Sequence, residues 1–460
     1  MSKRALSLLN DLGLLRGNKP ADLREITNEA LTAKLHSYFE ERTKNLDSDI
    51  NRINVKPDLS CLISSFSARN CQQTILPSSL IHKHMIADDP VYKFGAPETE
   101  AVKTHREYIG VKSAGAPDRN SIQNALLYFS ELIPLIQADL LAIVPLRMLH
   151  MPGEQIPLYY SEDRFRSEIP ENIHDFIHQS AYVKPVIRKH DTGDLVVLRE
   201  DASEPCRGIQ IGFHDDYCGS GVSLYLFQEM EAEGVDQATG NLRFRMSWDP
   251  DKPMDLATYN AWVYQSINRT IIARLSSITS ESRLASRLGH SYLTESSFEA
   301  ELLRQSGFRG EDTTSNSINF LSANKSLIEM PSAETVVRLR ESNEPSFDRF
   351  RASLLDIGEL LSGVPDCEFE SKAQRLFWSE VQPQVDEIKE AIRRIQVSGA
   401  KGSLVALGGI AITVATGTAI PLIAAGLYAG SGALTEVLPS VSEYMNKRSR
   451  PEYVWARLAK

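Results

Sequence analysis

His174 and His178 stand four residues apart, the spacing at which one face of a helix presents two imidazoles to a single zinc ion. Asp175 occupies the place where zinc proteases of this pattern carry a glutamate, and its carboxylate is one methylene shorter. No third ligand follows at a recognisable spacing, and Pro170 and Pro185 confine the helix to about three turns. Two helix-surface histidines are therefore the plain alternative to a metal pair. A second group, His214-Asp215-Asp216, follows the alternating run 208–213. Carboxylates beside a histidine at a strand end suit Mg²⁺ binding or a proton relay, whereas the same residues also make an Asp-rich turn that bonds its own backbone. Cys218 nearby has no orienting third group that would make it a nucleophile with His214. His82 and His84 would share a strand face, but Lys83 separates them and no carboxylate adjoins them. Neither a Walker-type phosphate loop nor a dinucleotide fingerprint occurs, and Gly219-Ser220-Gly221 reads as a hairpin turn rather than a nucleophile elbow. No cofactor is expected.

The elements that must position these groups follow from periodicity. Residues 5–15 fit a short amphipathic helix. Leu23, Ile26, Ala30, Leu31, Leu35 and Phe39 recur at helical spacing, so 22–54 is one long helix or two. Residues 121–129 predict a helix and 140–145 a short buried strand, together an α/β element. Between 183 and 248 the period becomes two: Ile209, Ile211 and Phe213, then Val222, Leu224 and Leu226, then Leu242, Phe244, Met246 and Trp248. Turn signals at 191–194, 215–221 and 238–241 separate these runs, which predict an antiparallel meander. From Asp255 the pattern is helical almost to residue 400, broken by a polar loop at 307–315. Phe377, Val381, Val385, Ile388, Ile392 and Ile395 form a seam that pairs with a helix of this chain or of a second copy. The expected fold is α+β: a helical and mixed region over 1–182, an antiparallel β-meander over 183–250, a helical region over 255–400, and an apolar Gly/Ala-rich helical hairpin with a basic tail over 401–460.

That last part holds 34 consecutive residues, 402–435, without a charge. Gly417 and Pro421 break it into pieces of 14 and 13 residues. As helices these would be about 20–21 Å long, short of a hydrocarbon core of roughly 30 Å. Such a hairpin of small residues buries itself in the fold or enters a bilayer as a re-entrant segment. On the second alternative Leu404, Leu407, Ile410, Ile412, Ile420, Leu422 and Ile423 meet lipid, and Gly426 and Gly430 give the close-approach spacing of associating helices. Lys447, Arg448 and Arg450, with Arg457 and Lys460, would then sit at an anionic lipid surface.

With 42% apolar and 24% charged residues in 460, the chain is neither disordered nor a polytopic membrane protein, and it has length for two or three domains. Its net charge of −10 disfavours non-specific nucleic-acid binding. Five cysteines, odd in number and without a C-x-x-C pair, read as reduced thiols, and the interrupted N-terminal apolar run lacks a signal-peptide core, so a cytoplasmic protein is expected. Arg338, Arg340, Arg349 and Arg351 cluster, interleaved with Glu334, Glu341, Glu344 and Asp348 as on a solvated, ion-paired face.

Residues 330–341, from Met330-Pro331 to Arg340-Glu341, with 347–354 and the tail Pro451-Glu452-Tyr453-Val454-Trp455-Ala456-Arg457-Leu458, resemble a family of uncharacterised bacterial proteins of similar size. The likeness covers about the last 140 residues and implies a bacterial source, without an activity to carry over. Three functions stand side by side, and whether the chain is an enzyme stays open among them. The first is a cytosolic bacterial effector, of toxin or anti-phage type, whose sensing region restrains the apolar hairpin until a protein trigger releases it to a membrane. The second is a metal-dependent hydrolase or nuclease-like enzyme using His174 and His178 or the His214-Asp215-Asp216 group. The third is a non-catalytic adaptor that forms homo-oligomers through the 377–395 seam.

Overall fold

The computed structural model describes residues 2–51, 53, 59–65, 74–97, 117–146, 169–189, 195–213, 223–235, 237, 240, 242–247, 249, 251–294, 296–305, 321, 323–324, 332–342, 344–387, 389–390, 450–452 and 454–455. The fold is α+β, and the chain divides into two compact units, one of residues 1–74 with 82–310 and one of 75–81 with 311–460. The segment 402–435 and the site candidates His214, Asp215, Asp216, Lys447 and Arg448 lie outside the described residues.

The first unit opens with helix α1 (Ser2–Asp11) and a hairpin of β1 (Leu15–Arg16) and β2 (Lys19–Pro20). Its two turn residues, Gly17 and Asn18, both have positive φ, as a two-residue hairpin turn of matching twist demands. The helical stretch expected over 22–54 is present as two main helices, α2 (Asn28–Lys44), capped by the Thr27 side chain, and α3 (Leu46–Asn51). Strand β3 (Ser60–Ile63) follows, then, past helix α4 (Leu76–Ile81) of the second unit, β4 (His84–Asp88). Helix α5 (Arg119–Gln137), capped by Asp118, leads into β5 (Leu141–Val144), the helix-then-strand element that the sequence predicts. All four residues of β5 are buried, and a run with no polar face marks a strand covered on both sides.

Helix α6 (Glu171–Ser180) precedes the antiparallel region: β6 (Ala181–Arg188), β7 (Leu195–Val197), β8 (Gly208–Phe213), β9 (Ser223–Leu226), β10 (Glu229–Val235) and β11 (Leu242–Ser247). Instead of one continuous meander, β7-β6-β8-β9 make a four-stranded sheet and β10-β11 a separate hairpin. Strand β6 is long enough to pair with β7 on one edge and β8 on the other, which removes the simple up-and-down order.

Helix α7 (Leu256–Leu288) begins at an Asp255 cap, as the pattern predicts, and its 33 residues run for about 50 Å. Gly289, in the left-handed conformation at φ 68°, ends it and turns the chain into β12 (Ser291–Leu293). Here the uniformly helical reading of 255–400 is corrected. Three residues are too few to show a period, and β12 forms only because β3 offers it a parallel edge. Helix α8 (Ser297–Gln305) closes the described part of this unit.

The second sheet is wholly parallel, in the order β12-β3-β4-β5. Successive strands β3, β4 and β5 step one way, while β12 joins the opposite side of β3, so strand order reverses between β3 and β12. Along α7 the core changes partner. Tyr259, Ile267, Ile271 and Ile278 pack with Ile209, Ile211 and Phe213 of the antiparallel sheet. Leu284, Ala285 and Leu288 pack with Leu62, Ile86, Ala142 and Val144 of the parallel one.

The second unit is helical, with α4, α9 (Ala333–Ser342), α10 (Glu344–Leu360) and α11 (Asp366–Leu376) running into a π-turn at Phe377–Val381. Trp455 lies across Phe350 and Phe377, at 5.5 and 5.2 Å between ring centroids. Of the seam, Phe377, Val381 and Val385 are buried within the chain, and Ile388, Ile392 and Ile395 lie outside the described residues. Arg340 and Arg351 are not on a solvated face: their guanidiniums lie 5.7 and 5.5 Å from the Phe347 ring centre. Burial, with the neighbouring Arg351 charge, lowers the Arg340 guanidinium to about 10.

Candidate functional site

In parallel sheets, ligands bind at the carboxyl ends of strands where strand order reverses, and in this chain that place is filled with polar side chains. Ser64 and Ser65 follow β3, Thr294 follows β12, and α7 carries Arg274, Ser277 and Glu281 along the stretch where its apolar contacts pass from one sheet to the other. Glu299 enters from the first turn of α8, whose amino end is capped by Ser296, the serine hydroxyl accepting from the Glu299 N–H at 3.2 Å. Every one of these groups except Thr294 is buried.

The two glutamates have different surroundings. Glu299 accepts from the Ser64 hydroxyl at 2.9 Å and the Thr294 hydroxyl at 2.5 Å, and it pairs with the Arg274 guanidinium at 3.2 Å. Arg274 also donates to the Ser296 hydroxyl at 3.0 Å and lies 5.0 Å from the centre of the Phe298 ring. Among the described residues no cation pairs with Glu281. It accepts from the Ser65 backbone N–H at 3.1 Å, the Ser277 hydroxyl at 3.1 Å and the Tyr292 hydroxyl at 3.3 Å. Burial pushes its carboxyl up to about 7; the hydrogen bonds from Ser65 pull the other way, and the charges of Asp88 and Glu299 add to the rise. A carboxyl poised there gives or takes a proton at neutral pH, as general acid–base chemistry requires. The Ser65 hydroxyl also interacts with the Glu281 carboxyl and lies 3.5 Å from the Ser277 hydroxyl.

The floor under this edge is tied down by a second buried network. Arg42 donates to Asp89 at 3.0 Å, to Asp49 at 2.7 Å and to the Ile143 carbonyl at 2.7 Å. Tyr38 donates to the same Asp89 oxygen at 2.7 Å, and burial, with the Asp89 charge, holds its phenol well above the usual range, so it stays a donor. The other Asp89 oxygen accepts the N–H groups of Val91 and Tyr92. The loop after β4 and strand β5 are thereby fixed to α2 and α3.

The histidine pair singled out by spacing does share a face of α6, its rings 4.5 Å apart. Each Nε2 faces a hydrogen-bonding group of α7: His174 the Tyr264 hydroxyl and His178 the Asn268 carbonyl oxygen, both at 2.8 Å. Tyr264 and Asn268 are themselves four apart, so the two pairs match turn for turn. Among the described residues no group of three or more His, Cys, Asp or Glu is placed to hold a metal. Arg450 makes an exposed ion pair with Glu387 at 3.0 Å. Among the described residues no helix is long and apolar enough to cross a membrane.

Ser64, Ser65, Arg274, Glu281, Tyr292 and Glu299 escape motif reading because no local pattern joins them. A signal was nevertheless present: Arg274 and Glu281 fall in step with Ile267, Ile271, Ile278, Ala285 and Leu288, charges standing on a buried stripe. Compared with protein-family models, curated proteins and solved structures, the chain matches none.

Proposed function

We propose that the first unit is a hydrolase-like module that binds a small polar molecule at the carboxyl edge of its parallel sheet, with Glu281 as the proton-transfer group. The observation that carries this is the unequal pair of buried glutamates at the strand-order reversal, one matched by Arg274 and one poised near neutrality. Ser65 and Tyr292 orient the ligand, and Arg274 supplies the fixed positive charge. The test is a thermal-shift survey of the full chain with nucleosides, nucleotides, sugars and amino acids, followed by turnover of whichever compound stabilises it. Glu281→Gln is expected to keep binding and to lose turnover by about 10²–10⁴-fold, the usual contribution of general acid–base catalysis. A stabilising compound whose turnover survives Glu281→Gln, or no stabilising compound at all, removes the proposal.

A second function is favoured by the charge-free segment 402–435 beside Lys447, Arg448 and Arg450. On it the chain is a cytosolic effector, the first unit is its sensor, and the apolar segment acts at an anionic membrane. Full-length protein is expected to float with phosphatidylserine-containing vesicles, and a chain ending at Gly399 to stay at the bottom of the gradient. Equal behaviour of the two chains contradicts a membrane role for the segment.

A further inference from the structure

The amino edge of the same sheet carries two histidines that neither function uses. Gly289 turns the chain out of α7 so that His290 leads into β12. Strand β12 pairs with β3 through Ser291 and Cys61, and β3 pairs with β4 through Ser60 and His84. Paired residues of parallel strands point to one face and alternate along each strand, so His290, Ser60 and His84 stand abreast. His290 and His84 therefore flank β3, two strand spacings or about 10 Å apart at the backbone. Their rings nevertheless lean together, with centroids 6.0 Å apart and planes at 87°.

Hydrogen bonding assigns the two nitrogens of His290. Its Nδ1 lies 2.9 Å from the Leu288 carbonyl, which only accepts, so Nδ1 carries the proton and in the neutral ring Nε2 holds a lone pair. His290 is 6% exposed, and this Nε2 has no hydrogen-bond partner among the described residues. A buried acceptor left without a donor is costly, so such an atom implies an ion or a water beside it. Donating Nδ1–H to a backbone carbonyl while presenting Nε2 is how metal-binding imidazoles are commonly held. His84 is partly exposed and opens the pair to solvent.

We propose that His84 and His290 bind one zinc ion at the amino edge of the parallel sheet, with water completing its coordination. Imidazole ligands without a carboxylate select zinc over magnesium or calcium, and two protein ligands make the ion exchangeable, unlike the closed four-ligand sites that hold folds together.

The experiment is calorimetric titration of Zn²⁺ into untagged, chelator-stripped full-length protein. One saturable equivalent is expected, its Kd raised at least tenfold in His84→Gln and in His290→Gln and unchanged in the His174→Gln/His178→Gln double variant, with Mg²⁺ not competing. Because His84 is partly exposed, His84→Gln decides the matter even where His290→Gln fails to fold. Absence of saturable uptake, or uptake that His84→Gln leaves unchanged, overturns the proposal and leaves Nε2 facing water.

Discussion

Replacing Arg42 by methionine is expected to destabilise the first unit by about 3–5 kcal/mol, the range for removing one partner of a fully buried ion network. Arg42 is 0% exposed and bridges two carboxylates, Asp49 and Asp89, that are almost as deeply buried. Methionine fills much of the volume but removes the cation shared by the two anions, leaving Asp89 with only Tyr38 and the Val91 and Tyr92 N–H groups and Asp49 with Arg4 at 2.9 Å. Lysine should not rescue the protein, because a point ammonium cannot reach Asp49, Asp89 and the Ile143 carbonyl together as the planar guanidinium does. The measurement is denaturant unfolding of the single variants and of Arg42→Met combined with Asp49→Asn and Asp89→Asn. The combined variant should recover part of the loss, since the larger share of the penalty lies in the orphaned charges. A single variant within about 1 kcal/mol of wild type would contradict the network's role in fixing the sheet edge.

The second large effect concerns pH. A carboxyl raised in the folded state binds its proton more tightly there than in the unfolded chain, so between the two pKa values the native state holds more protons and stability falls as pH rises. For Glu281 the window runs from its ordinary 4.5 to about 7. Its contribution is fully present below that window and lost above it, and an interval of this size corresponds to about 3 kcal/mol. Other acids change the overall pH profile in the opposite sense. Asp118 and Asp255, for example, are lowered by hydrogen bonds from Ser121 and Thr258. The difference between wild type and Glu281→Gln isolates the glutamate: the variant should gain on wild type steadily from pH 4.5 to 7 and hold that gain above it. A difference that does not change with pH would place Glu281 in an ordinary solvated setting.

Much of the scaffold was legible in local chemistry. Asp255 caps the helix expected to start there, the helix expected over 121–129 is present within Arg119–Gln137, and the buried run expected over 140–145 forms the strand Leu141–Val144. β12 was not legible, because its three residues take their conformation from a strand more than 220 positions earlier, and no window of sequence contains both. The candidate site was hidden for the same reason. Ser64 and Glu299 are 235 residues apart in the chain and 2.9 Å apart in space. Recognisable spacing favoured the histidines, and His174 and His178 do stand together, facing Tyr264 and Asn268. Charges on apolar stripes were the better guide: Arg42 continues Leu31, Leu35 and Tyr38 on α2 just as Arg274 and Glu281 interrupt the isoleucines of α7.

The most direct test of the proton-transfer site is a pH titration of the full-length protein labelled with ¹³C at glutamate side-chain carboxyls, followed by NMR beside Glu281→Gln. One carboxyl resonance is expected to titrate with a midpoint near 7 and to vanish in the variant. If all glutamates titrate within the ordinary range of about 3.5 to 5, or if the resonance near 7 survives in Glu281→Gln, Glu281 is not the poised acid and the proposed chemistry at this edge falls.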